Sequence, residues 1–589
     1  MRLAHVSIEH FRGVRRFSTK LDATTVLIGE NNCGKTSILD VVQRCLSAEI
    51  VGPQARFDPL DFHLPVHLPV HLPGHLPGRD TERSGTGSGS VRRENGADVA
   101  PEPIRVRLAF TEQHPGAWPD SIRSTFREVS HPREDGCLTV ILAVEAGSPA
   151  AGAIDVSFRD RRDAALSCDV AALHGALRQL KPVLRLNSRE LFGPPCPEGA
   201  LPVTASIGAD PPAGEPIASD LVDRLADLNA ILIDPRLDDS DIHARLVELG
   251  RALAESHDLP AASGSPDRLL EALSRRLAEA TDLTRRGRQL RLGVSMHGLV
   301  MVLLVASVVA ARHAAADDPL SEPLLIIDDP EAHLHPTTLA FLGRVLRSVR
   351  AQKLVVTHSG EVLTAVDLHS IRRLHRVGGD IHNARLRERN LSAEDSRKIA
   401  YHIRARRGVV LFARCWLLIE GESEFWLMPA IAERLGYDLA LESVALVEFA
   451  QCGVEPLIRV ARDLGIEWHL LTDGDVAGRT YDASASELLE RQPRNRRITA
   501  LDAPDIEFCL WRGGFHDVYR RAAAGRDSIS RRSRRDDRPQ HIIRRAIDAT
   551  SKPHLARKIV EALEAENAPD IPRQLRHAVE MAVGLARGE

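Results

Sequence analysis

Trp416-Leu417-Leu418-Ile419-Glu420-Gly421-Glu422-Ser423-Glu424 is the stretch whose reading decides the fold around it. Bulky apolar residues in unbroken succession suit a strand buried on both faces of a parallel sheet, and this strand ends on a carboxylate. Gly421 permits a tight turn, and Ser423 reads as the N-cap of a helix running through Phe425-Trp426-Leu427-Met428. The pattern recurs at Trp468-His469-Leu470-Leu471-Thr472, followed by Asp473-Gly474-Asp475. Open α/β sheets place their sites at the C-terminal ends of strands. Either acidic cluster alone reads equally well as a capped turn with solvated acids. Together, one Glu-rich and one Asp-x-Asp, they make an oxygen-only donor set suited to Mg²⁺-type cations.

Glu420-Gly421-x-x-Glu424 followed by Asp473-x-Asp475 resembles the Toprim fold, the metal-dependent domain shared by type II topoisomerases, primases and some nucleases. A topoisomerase also needs a tyrosine nucleophile. The chain has four tyrosines, none in a setting that reads as nucleophilic. What is left is attack of water or hydroxide on a phosphodiester, assisted by metal.

Toward the N-terminus the sequence reads as a strand (Leu3 to Ile8), a turn at Phe11-Arg12-Gly13, and a second strand, Thr24-Thr25-Val26-Leu27-Ile28. That strand runs into Gly29-Glu30-Asn31-Asn32-Cys33-Gly34-Lys35-Thr36-Ser37, which fits Gly-x4-Gly-Lys-[Ser/Thr] at every fixed position and is followed by an apolar helix. Glycines there let backbone N–H groups close around phosphates at a helix N-terminus, Lys35 reaches the β- and γ-phosphates, and the Thr36 hydroxyl serves Mg²⁺. A second half of the same machinery is legible at Leu324-Leu325-Ile326-Ile327-Asp328-Asp329-Pro330-Glu331-Ala332-His333-Leu334-His335-Pro336. Asp328, ending a Walker B strand, is expected to hold Mg²⁺, and Asp329 to polarise the attacking water. Lys353 to Thr357 reads as another buried strand, ending at His358 in the place of a switch histidine. Ser295-Met296-His297-Gly298 occupies the place of a signature segment in degenerate form.

The 589 residues suffice for roughly two to four domains. With 43% hydrophobic and 27% charged residues and a net charge of −4, there is no global basic field, so nucleic-acid contacts must come from local patches. One such patch is Ser530-Arg531-Arg532-Ser533-Arg534-Arg535, with Arg544-Arg545 beyond. The eight cysteines form no Cys-x-x-Cys pair and read as reduced, in keeping with a cytoplasmic location. No signal peptide is apparent, and the apolar run from Leu299 to Ala311 is too short to span a bilayer. His63, His67, His71 and His75 each precede Leu-Pro; a proline every fourth residue blocks helix and ladder alike, so 63–100 reads as a low-complexity surface loop. Residues 104–160 read as an antiparallel subdomain and 180–290 as a helical insertion.

This order of motifs resembles the OLD (overcoming lysogenization defect) family of ATP-dependent endonucleases. The resemblance implies an α/β chain: an ABC/SMC-like P-loop ATPase domain over 1–395, related to the heads of chromosome-maintenance and recombination-repair proteins, then a Toprim domain over 410–515 and a helical region over 516–589. It implies ATP, Mg²⁺ or Mn²⁺, DNA as substrate and a dimer through the ATPase head, and it leaves room for a helicase partner and for a role in repair or phage defence. Gly29, Asn31, Asn32, Gly34, Lys35, Thr36, Ser37, Asp328 and His358 fall on its nucleotide site, and Glu420, Glu424, Asp473 and Asp475 on its metal site. Glu507 falls on a later acidic ligand, and Lys552 on a lysine that steadies the pentavalent phosphate. Asp329 departs from the pattern, standing where most relatives carry Glu, so ATP binding is a firmer expectation than fast turnover. The competing expectation is an ATP-dependent DNA clamp whose Toprim domain is a scaffold; four intact acids speak against it, since a scaffold gains nothing from concentrated negative charge.

Overall fold

The computed structural model describes residues 1–52, 55–63, 102–147, 154–181, 183–187, 322, 324–331, 339, 351–377, 379–387, 390–405, 408–524, 538–565 and 567–589. The signature segment, the Leu299–Ala311 run, the basic stretch 530–535, residues 332–336 of the Walker B motif and nearly all of the His-Leu-Pro tract and the expected insertion lie outside them.

An antiparallel sheet comes first: β1 (Arg2–Phe11), β2 (Val14–Lys20), β4 (Ile104–Thr111), β5 (Ser130–Pro132) and β6 (Leu138–Ala146) in the order β2-β1-β4-β6-β5, with β7 (Ile154–Arg159) also on β6. The subdomain expected over 104–160 is therefore present, but it also recruits the first two strands. The turn at Arg12-Gly13 leads into β2, a strand that the sequence pattern did not disclose. A register shift between Leu3 and His5 explains why β1 buries Leu3 and then Val6 rather than strict alternates.

The second sheet runs β12-β11-β3-β10-β9-β8, built from β3 (Thr24–Gly29), β8 (Val183–Asn187), β9 (Leu324–Asp328), β10 (Gln352–Val356), β11 (Ile371–Val377) and β12 (Asp380–Ala384). It is parallel apart from its β12 edge. Val183–Asn187 is thus an edge strand beside Walker B, where the sequence pattern read the start of a helical insertion. Helix α1 (Lys35–Cys45) lies between the two sheets, burying Ile38, Leu39, Val41 and Val42 in one core with Val6, Ile8, Leu27, Ile326 and Val356.

After α2 (Ala393–Ala405) the chain forms an all-parallel sheet in the order β14-β13-β15-β16. Its path is β13 (Cys415–Ile419), α3 (Glu422–Arg434), β14 (Val444–Glu448), α4 (Val454–Asp463), β15 (Glu467–Thr472), α5 (Val476–Glu487) and β16 (Ile498–Ala500). The chain leaves β13 to one side for β14 and returns to the other for β15, so the order reverses between β13 and β15. That is a topological switch point, where a crevice opens at the strand C-termini.

One face of this sheet is covered by the C-terminal helices: α6 (Ile506–Leu510), α7 (His516–Ala523), α8 (Pro539–Thr550), α9 (Lys552–Leu563) and α10 (Arg573–Arg587). Leu417, Ile419, Leu427 and Ile431 share a core with Leu555, Ile559, Leu575, Val579 and Val583. The opposite face packs on the second sheet, with Trp416, Leu418, Phe449, Leu457 and Trp468 in one core with Val26, Ile28, Val355 and Ile371. Polar contacts pin the junction. Arg373 donates to the carbonyls of Ala413 (2.9 Å), Leu464 (3.3 Å) and Gly465 (2.8 Å), and Arg414 grips both carboxylate oxygens of Glu30, with Nη2 2.8 Å from Oε2. The seven described cysteines are free, and among the described residues no helix is long and apolar enough to cross a membrane.

Candidate functional site

Two sites emerge, one at the end of β3 and one at the switch point. At the first, Gly29 leaves β3 at φ +148°, and a Cβ there would stand 2.3 Å from the Leu374 carbonyl oxygen, so only glycine fits. Glu30, Asn31, Asn32 and Cys33 make the loop, and Gly34 in the left-handed region starts α1 at Lys35, with Thr36 and Ser37 in its first turn. No side chain caps α1 and no acid lies in its first turn, so its N-terminal N–H groups remain available to an anion. Lys35 folds back onto the carbonyls of Gly29 (2.9 Å) and Glu30 (2.8 Å), and burial lowers its pKa. Arg376 binds the Asn32 carbonyl at 2.9 Å and lines an adjoining cleft of about 820 Å³ with Arg12, Arg44, Phe62 and His63.

Asp328 ends β9 facing the P-loop. Its Oδ2 accepts from Arg185 Nη2 at 2.9 Å, its Oδ1 is buried without a partner, and its pKa is raised chiefly by burial. Arg185 also contacts Asp40 and Gln43 of α1, tying the Walker B carboxylate to the helix that follows the P-loop. Asp329 takes a left-handed backbone at φ +48°, and its Oδ1 lies 3.8 Å from His358 Nε2. Burial, and then Lys35, lower the His358 pKa. Glu331 accepts from Thr357 Oγ1 at 2.8 Å and from the His358 backbone N–H, which locks the Walker B turn to the segment carrying the histidine.

At the second site the acids come from adjacent elements. Glu420 directly follows β13, and Asp473 directly follows the neighbouring β15. Glu424 lies in the first turn of α3 and receives the Gly421 N–H at 3.3 Å. Asp475 caps α5, accepting from the Gly478 N–H at 2.7 Å; a Cβ on Gly478 would collide with the Asp473 carbonyl oxygen at 1.9 Å. Glu507, buried on α6, accepts from Ser423 Oγ (3.0 Å) and pairs with Lys552 Nζ (3.4 Å) at the start of α9. Ser423 is therefore not the cap of α3, whose N-cap is Gly421; its hydroxyl reaches across to α6 instead.

These carboxylates repel one another in a partly dry setting. Burial, then Glu424 and Glu420, push Asp473 up to about 8, while burial, helped by Glu507 and Glu420, pushes Glu424 up to about 7. Glu420 is raised by burial and by Asp475. Burial alone would lower Lys552, but Glu507, Glu424 and Asp505 outweigh it and raise its pKa. Among the described residues no three His, Cys, Asp or Glu side chains close into a metal-holding group as they stand. The donor set nonetheless fits a hard cation. It is all oxygen, it is held against its own repulsion, and Glu420 Oε2 is buried with no partner.

Four residues of these sites escaped the sequence reading: Arg185, Asp505, Glu331 in its locking role and Ser423 in its link to Glu507. Asp505 caps α6 at the Phe508 N–H (2.7 Å), faces Glu507 and Asp475, and has its pKa raised mainly by burial. Its position two residues before Glu507 was the available signal. Arg544 and Arg545, the described part of the expected basic patch, are exposed on α8.

Residues 1–74 and 270–410 match a family described as a protein of unknown function (DUF2813), and residues 411–475 match the overcoming lysogenization defect protein-like TOPRIM domain. The chain is 30% identical to the uncharacterized protein YbjD of Escherichia coli K12 over 598 aligned residues, covering 100% of both chains. It is 26% identical over 345 residues to the OLD nuclease of Thermus scotoductus, covering 54% of this chain and 60% of that protein. Among solved structures, the C-terminal region of the Burkholderia pseudomallei OLD protein aligns at 20% identity and a TM-score of 0.26, covering 30% of this chain and 99% of that one. With the P-loop sheet, the switch-point acids and the TOPRIM match in one chain, the protein belongs to the OLD family and carries a Toprim domain.

Proposed function

We propose that this protein is an ATP-regulated, divalent-metal-dependent endonuclease acting on DNA. The observation that carries the reading is the set of acids at the β13/β15 switch point, held together at raised pKa with a buried, unpartnered Glu420 oxygen. Such charge crowding is unfavourable unless a cation relieves it. Glu420, Glu424, Asp473, Asp475 and Glu507 would hold one or two Mg²⁺ or Mn²⁺ ions, which supply Lewis-acid stabilisation and a lowered pKa for bound water. Lys552 offers a positive charge beside Glu507 for the scissile phosphate. The relatives named as OLD nucleases support the same chemistry.

At the first site, the α1 N-terminus, Lys35 and Thr36 would take the ATP phosphates and Asp328 the accompanying Mg²⁺. Asp329 and His358 would face the γ-phosphate. We assign 1–395 to the ATPase domain, 410–515 to the Toprim domain and 516–589 to a helical region that completes the Toprim core, with dimerisation through the ATPase domain. The test is nicking of supercoiled plasmid with Mg²⁺ or Mn²⁺ by wild type, Glu420→Ala and Asp473→Ala, with DNA affinity measured alongside. Cleavage by wild type alone, with DNA binding kept in all three, is expected. Equal cleavage by all three would move the activity elsewhere, and DNA binding by wild type without cleavage under any metal would make the Toprim domain a scaffold.

A further inference from the structure

Arg479 lies exposed on α5, one turn beyond the cap residue Asp475. An acid followed four residues later by an arginine has the usual spacing of an ion pair on a helix. Here that pair does not form. The guanidinium turns back and donates Nη1 to the Gly474 carbonyl at 2.7 Å, and it meets no carboxylate among the described residues. Arginines nearby behave differently: Arg494 pairs with Asp482 of the same helix, and Arg462 pairs with Glu490.

Gly474 stands between Asp473 and Asp475, and its place is fixed. Its N–H donates to the Ala503 carbonyl at 2.9 Å, and a Cβ on it would stand 2.5 Å from that oxygen and 2.6 Å from the Leu501 carbonyl oxygen. A guanidinium bound to the Gly474 carbonyl is therefore held beside the two acids instead of sweeping the surface. One of its N–H donors is spent there, and the rest of the fork faces outward.

Charge explains why a cation belongs at this spot. Two divalent ions, with Lys552 beside Glu507, offset the five ligand carboxylates and nothing more. A phosphodiester entering the site brings a further negative charge that still lacks a partner. An arginine fork matches phosphate oxygens in both charge and geometry.

We propose that Arg479 is a DNA-binding residue of the Toprim site, its guanidinium gripping a backbone phosphate of the strand to be cut while one N–H stays on the Gly474 carbonyl. This rests on the nuclease reading given above. The contact reads no base, so it sets where the strand lies over the acids and carries no sequence preference.

The test uses the full chain as wild type, Arg479→Ala, Arg479→Lys and Arg479→Gln. Affinity for a fluorescent DNA duplex is measured in Ca²⁺ across a range of salt, and Mn²⁺ affinity and melting are measured without DNA. Arg479→Ala is expected to bind the duplex about tenfold more weakly, with the slope of log affinity against log salt about one unit shallower. Its Mn²⁺ affinity and melting temperature are expected to match wild type. Arg479→Lys keeps the charge and is expected to regain most of the affinity. Arg479→Gln can still donate to the Gly474 carbonyl but carries no charge, and it is expected to bind as weakly as Arg479→Ala. In plasmid nicking the loss is expected to fall on KM, with kcat nearly kept. Unchanged duplex affinity and salt slope, loss of Mn²⁺ affinity in Arg479→Ala, or rescue by Gln instead of Lys would each overturn the proposal, since the arginine would then only brace the turn. If wild type binds the duplex but never nicks under any metal, the nuclease reading falls while the affinity measurements still decide the Arg479 contact. If wild type binds no DNA, both fall.

Discussion

Replacing Asp473 by Asn should stabilise the protein while abolishing its cutting. Asp473 titrates near 8 in the folded chain against an ordinary 3.8, because it is buried and faces Glu424, Glu420, Asp505 and Glu507. A folded-state pKa above the unfolded value means that the folded chain keeps a proton which the unfolded chain has released. The stability this contributes is fully present below about pH 4 and is lost as pH rises through about 8, so metal-free protein weakens across that window. A shift of about four units corresponds to at most about 5–6 kcal/mol. Water reaching the site and sharing of protons among the acids reduce this to about 1–3 kcal/mol. At about 2–4 °C per kcal/mol for a unit of this size, the gain is several degrees. The assay is thermal melting in chelator at pH 8 and pH 5. Asp473→Asn should melt several degrees above wild type at pH 8 and nearly with it at pH 5, and Mn²⁺ should raise the melting temperature of wild type alone. A variant that melts at or below wild type at pH 8, or a wild type indifferent to pH between 5 and 8, would refute the charge-crowding argument.

Lys35→Ala should remove most ATP affinity in a fluorescent-nucleotide titration if Lys35, now turned onto the Gly29 and Glu30 carbonyls, is the cation that meets the β- and γ-phosphates; unchanged affinity would sink that assignment. Asp329→Glu should raise ATPase turnover if a short acid limits hydrolysis. A flat or lower rate would mean that Glu331 or the strained backbone at φ +48° governs the water instead. Arg414→Ala cuts the grip on Glu30, and plasmid nicking should then respond less to ATP than wild type does; an undiminished response would place the coupling elsewhere.

What was legible in the sequence were the features written in neighbouring residues: apolar runs ending in acids, and the glycine spacing around Lys35. The order of motifs placed the P-loop sheet before the Toprim sheet. Strand β2 was missed because Val14-Arg-Arg-Phe-Ser-Thr-Lys buries only Val14, Phe17 and Thr19, too sparse an apolar set to stand out. Val183–Asn187 was misread because edge strands carry charge, here Arg185. The remaining errors concern partners far apart in the chain. Ser423 looks like a cap because serine before a helix usually is one, yet its partner Glu507 lies 84 residues on. Arg185 meets Asp328 across 143 residues, and only the sheet order brings them together.

Helix α10 lies directly against β13 and β15, the two strands whose ends carry Glu420 and Asp473. It is made last of all the parts of that core, long after every acid of the site has been synthesised. At translation rates of about 5–20 residues per second, Glu420 waits roughly 8–30 s and Glu507 roughly 3–14 s before Leu575, Val579 and Val583 arrive to close the layer beneath them. Until they do, β13 and β15 lack the helix that buries one of their faces, and the acids at their ends stand on an uncovered sheet.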